Sequence, residues 1–186
     1  MRQLFLLGLI LSTTVFSADI KKMDAKNLLS DSLADLIPTI KGLHDAGEKE
    51  YSPAGGRVTA VYKVTPAKDE KEWQAMRALV DKANSFGEVG GEDVGEDATA
   101  FFVKRPNFEH ISVAFVSDYL DRDELSDGLV EELTKFRDRL RDLIKEKSYL
   151  GFYRIFSSNE AQGHLGFVLY NRSTDEALYV STVSDH

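Results

Sequence analysis

The sequence predicts an α+β protein, a single domain in which a mainly antiparallel β-sheet is flanked by helices. Three observations predict it. Segments with apolar residues every three or four positions alternate along the chain with segments of period two; three period-two segments close the chain with only short turn-rich breaks between them; and no Pro-, Gly- or Ser-rich linker divides it. With 186 residues and 42% apolar side chains, the chain can bury one core of ordinary size.

The first residues, MRQLFLLGLILSTTVFSAD, combine Arg2, an apolar run from Leu4 to Leu11, and small or β-branched residues before Asp19. This pattern predicts a secretory signal over residues 1–18 and a mature domain over 19–186, exported to a periplasm or secreted. The run is short for a membrane span, and no later run reaches spanning length, so the mature protein is expected to be soluble and monomeric.

From Asp24 to Ala46, Leu28, Leu29, Leu33, Leu36, Ile37, Ile40 and Leu43 recur at helical spacing, with Pro38 expected to bend or divide the helix. GEKEYSPAGG then reads as a turn. RVTAVYKVT, residues 57–65, alternates with Val61 as the exception and predicts a strand covered mainly on one face. A second helix carries Trp73, Met76, Leu79, Val80 and Ala83 and stops at Gly87. The acidic, glycine-rich EVGGEDVGED predicts a loop, and ATAFFVKR and EHISVAFVSDY predict two strands after it.

The third helix has the most regular pattern, with Leu125, Leu129, Leu133, Phe136, Leu140, Leu143 and Ile144 on one stripe and acids and arginines on the other faces. Leu133, Phe136, Leu140 and Leu143 are expected to face a sheet containing Phe167, Leu169, Leu178 and Val180. Phe152 to His186 form the three closing strands, broken by SSNEAQG and NRSTDE. Ser184, Asp185 and His186 are expected to project from the last strand as a short arm.

Composition excludes several functions. No cysteine is present, so disulfides, thiolate catalysis and cysteine-bound zinc are excluded. The formal net charge is −8, and removing residues 1–18, which contain Arg2 and no acid, makes it −9. An acidic surface repels nucleic acid and attracts a protein with a basic cleft. His44, His110, His164 and His186 lack the spacing of a zinc site, and His110 and His164 beside apolar strand residues read as structural. The acidic loop lacks the ligand spacing of a calcium loop and the lysine of a phosphate loop. No Gly-x-Ser-x-Gly elbow occurs. Neither a cofactor, a resident metal nor a catalytic residue is expected.

Two stretches resemble the nuclease A inhibitor family, small acidic proteins that block sugar-nonspecific nucleases. One runs from the first helix through Glu48-Lys49-Glu50-Tyr51 into the strand Val58 to Val64. The other runs from Lys135-Phe136 through a long helix into a closing sheet that ends at the carboxyl terminus. Together they cover about half the chain. The chain departs from the family in its leader and in a longer middle region from about Ala67 to Asp97.

The resemblance implies an α/β/α sandwich-like fold and a partner that is a basic, metal-dependent nuclease. It implies that Glu48, in the turn, contacts the nuclease and that the terminal carboxylate of His186 approaches the partner's metal. Glu50 and Asp185 join them by charge and position. Two other readings follow from the residues: an exported binding module for a small ligand or cell-envelope partner, and a hydrolase using His164 or His110.

Overall fold

A computed structural model describes residues 17–51, 57–83, 90–93, 125–158 and 162–185. Its elements in chain order are β1 (Asp19–Met23), a 3-10 turn (Ala25–Asn27), α1 (Asp31–Tyr51), β2 (Arg57–Thr65), α2 (Glu72–Ala83), β3 (Gly90–Asp93), α3 (Asp127–Lys145), β4 (Tyr149–Ser158), β5 (Gln162–Asn171) and β6 (Glu176–Asp185). The strands form one six-stranded sheet in the order β1-β2-β6-β5-β4-β3. Every neighbouring pair is antiparallel. The α+β prediction is borne out.

Both faces of the sheet are covered, which makes three layers. Strand residues alternate between the faces because successive side chains point to opposite sides. On one face Val61, Phe167, Leu169, Leu178 and Val180 meet Leu33, Leu36, Ile40 and Leu43 of α1 and Leu133, Phe136, Leu140 and Leu143 of α3. On the other, Ala60, Tyr62, Val64, Val168, Tyr170, Ala177 and Tyr179 meet Ala75, Met76, Leu79 and Val80 of α2. The packing expected of α3 against β5 and β6 is therefore present. β2 is covered mainly on one face, as expected: Ala60, Tyr62 and Val64 are buried there, whereas on the other face Thr59 and Thr65 are exposed and Val61, the exception to the alternation, is buried against the α1–α3 layer.

Three expectations need correction. The stretch from Asp24 is not the first turn of a long helix: Ala25–Asn27 forms a separate 3-10 turn, and α1 starts at Asp31 after Ser30, whose hydroxyl accepts the Leu33 N–H at 3.3 Å. Pro38 neither ends nor divides α1, although it offers no N–H to the carbonyl four residues earlier. Leu36 and Ile40 on either side are fully buried, and their packing holds the helix through that lost bond. Gly90–Asp93, expected to be loop, pairs as an edge strand with Arg154–Ser157 of β4. The strands expected over residues 98–105 and 109–119 lie outside the described residues.

One end of the sheet is tied by a buried polar cluster. Glu176, 1% exposed at the start of β6, accepts the backbone N–H groups of Leu29 and Ser30 at 2.8 and 2.9 Å. Asn171 donates to the Ser30 and Tyr149 hydroxyls at 3.1 and 3.2 Å. Arg172 donates to Glu72 at 2.7 Å and to the carbonyls of Lys147 and Tyr149, which joins α2 to the turn before β4. Asp175, at φ 53°, occupies the left-handed position of the turn between β5 and β6. Its carboxylate accepts from the Tyr170 hydroxyl at 2.8 Å. These bonds fasten the amino end of α1 to this end of the sheet and leave its carboxyl end at the other.

Candidate functional site

The opposite end of the sheet collects most of the residues singled out in the sequence. Helix α1 continues through Glu48, Lys49 and Glu50 to Tyr51, so these residues form its last turn and not the turn expected. The reason is local: no glycine or proline stands between Gly47 and Pro53, which disfavours helix in the residue before it. Five residues separate Tyr51 from Arg57, a reach of about 20 Å at most. Arg57 in turn pairs with Thr182 of β6. Connectivity thus brings the backbone of Glu48 and Glu50 to the end of the sheet where β6 finishes.

The expected C-terminal arm is shorter than three residues. Ser184 pairs with Gly163 and Asp185 with Gln162, so β6 remains in the ladder through Asp185. The alternation that made this segment a strand simply continues to that point. His186 lies outside the described residues.

Helix α3 brings its amino terminus to the same end. Arg139 meets Asp35 at 3.6 Å, whereas Ser126, Gly128, Leu129 and Glu132 stand beside Thr39, Gly42, Leu43 and Ala46, so the two helices run antiparallel. Between these residues lies a groove of about 460 Å³. Leu43 and Leu129 form its buried floor, and Gly42, Ser126, Gly128 and Glu132 are exposed along its rim. Ser126 caps α3 by accepting the Leu129 N–H at 3.3 Å. Asp45, Asp127 and Glu131 are exposed nearby. Lys135, in contact with Glu131 at 2.8 Å, lowers the pKa of the Glu131 carboxyl. This groove was not found from sequence; the signal was two glycines at helical positions that no turn required.

Among the described residues no histidine joins a metal-binding group. His44 is buried in α1 at 8% exposure. The backbone of His164 lies in β5 opposite Phe156 and Val183, and His110, like His186, is outside the described residues. Among the described residues there is no group of three or more His, Asp or Glu side chains able to hold a metal, and no helix long and apolar enough to cross a membrane. The buried Ser30, Tyr149, Asn171 and Glu176 bond to one another or to backbone and fasten α1, which is a structural task.

No protein-family model matches the chain, and no curated protein matches it.

Proposed function

We propose that the protein is an exported, acidic, non-catalytic inhibitor that docks the end of its sheet formed by the last turn of α1 and the finish of β6 onto a basic, metal-dependent, sugar-nonspecific nuclease. The observation that carries this reading is the convergence of Glu48, Glu50 and Asp185 on one end of the sheet, far apart though they are in sequence. A nuclease cleft built for phosphates offers positive charge, which the −9 of the mature chain complements. In this reading Glu48 pairs with a cation of the nuclease, Glu50 and Asp185 widen the acidic face, and the carboxylate of His186 approaches the partner's metal. Removal of residues 1–18 fits the fold, since cleavage beyond Ile20 would delete a core side chain of β1 that is 7% exposed.

Titrating the mature chain against a panel of such nucleases in a DNA-cleavage assay tests the proposal. Inhibition is expected to weaken as salt is raised, because screening slows charge-steered association. Glu48→Ala is expected to cost about 2 to 5 kcal/mol of binding where the contact is desolvated. Undiminished cleavage at micromolar excess across the panel rejects the reading.

A further inference from the structure

We propose that the groove between α1 and α3 is a docking site for a basic amphipathic polypeptide segment, which seats an apolar side chain between Gly42 and Gly128 and sets lysines or arginines against the acidic rim. The inference deepens the function proposed above by naming a second contact on the partner, and it rests on that reading only for the partner's identity.

The space itself is the first argument. The groove has about 460 Å³ and an apolar floor of Leu43, Ala46 and Leu129. Gly42 lies in the middle of α1 and Gly128 in the first turn of α3, and glycine weakens a helix relative to alanine. Neither has a conformational reason to be glycine, and a Cβ at either position would meet nothing within 4 Å. Internal packing therefore does not require these glycines, whereas close approach of another backbone would.

Charge decides the occupant. Asp45 on α1 and Asp127, Glu131 and Glu132 on α3 are exposed beside the groove, and Lys41, Lys49 and Lys135 are the cations on the same stretches of helix. Lys135 is engaged by Glu131 and Glu132 at 2.8 and 2.9 Å. Counting Glu48 and Glu50, residues 39–51 and 126–135 carry six acids against three lysines, which favours a basic occupant. An open cleft between two antiparallel helices suits an extended or helical segment with spaced apolar anchors.

A fluorescent leucine–lysine peptide patterned as one amphipathic helix is the probe, followed by anisotropy and by amide resonances of the protein. Gly42→Gln and Gly128→Gln fill the groove with neutral, helix-favouring side chains, and Gly42→Gln is expected to raise the unfolding midpoint. Binding to the unmodified chain is expected to shift the amides of Gly42, Leu43, Gly128 and Leu129. Either glutamine, or leucine-to-serine replacement in the peptide, is expected to weaken it at least about tenfold. Binding that both glutamines leave unchanged, or shifts confined to other acidic surfaces, would mean charge attraction alone and overturns the proposal. So does failure of the peptide to bind, or a dimer that Gly42→Gln breaks, which would assign the groove to a second copy. A nuclease inhibited equally by all three proteins removes the groove and leaves the proposed function; peptide binding weakened by glutamine with no nuclease inhibited does the reverse.

Discussion

Glu176 shows how one residue fixes the placement of a helix. Its buried carboxylate serves the Leu29 and Ser30 N–H groups, so Glu176→Ala would strand two donors away from water. A loss of about 2 to 4 kcal/mol is expected in urea unfolding, with a smaller loss for Glu176→Gln, which keeps one acceptor. Tyr179 and Ser181 present the converse case. Both are fully buried on β6, and among the described residues neither hydroxyl has a hydrogen-bond partner. Tyr179→Phe is therefore expected to leave stability unchanged or raise it, again measured by urea unfolding. Neither role was legible in the sequence. Glu176 sits in NRSTDE, which reads as a polar break, and its partners lie at the far end of the chain.

At the scale of elements, legibility followed the strength of the periodic signal. Helix α3 could be read with its packing face because seven apolar residues hold one stripe; Phe136, 1% exposed, anchors it. Phe136→Ala is expected to cost about 3 to 5 kcal/mol in the same assay. β1 escaped notice because DIKKM is short and three of its five residues are charged, and β3 because GGED carries no strand-favouring side chain. Both are edge strands, specified by the neighbour they pair with more than by their own composition. The face of β2, β5 and β6 under α2 carries three phenols, Tyr62, Tyr170 and Tyr179, whose pKa burial pushes above the ordinary value of 10.0. Tyr170 is raised further by its bond to Asp175. Below that value the phenols are neutral both folded and unfolded, so their contribution is fully present. As pH rises past 10 toward the folded values the unfolded chain ionises first, and stability falls. Urea midpoints are expected to drop through that range, and Tyr170→Phe to flatten the drop.

For the whole molecule, the antiparallel topology places two different groups of residues at the two ends of one sheet. The amino end of α1 and the β5–β6 turn are locked by Glu176, Asn171 and Arg172. The other end gathers the last turn of α1, the first turn of α3 and the finish of β6. Candidate residues could be picked from the sequence by charge and by resemblance, but their convergence depends on the pairing of Arg57 with Thr182, which no local pattern encodes. Matched sets of charge reversals test this division most directly. Glu48→Lys, Glu50→Lys and Asp185→Lys alter the proposed docking end; Asp19→Lys, Asp142→Lys and Glu146→Lys change net charge equally at the opposite end. In a DNA-cleavage assay with a basic, metal-dependent nuclease, the account predicts that the unmodified chain and the second set inhibit while the first set does not. Equal loss from both sets, or no inhibition by the unmodified chain, would contradict it.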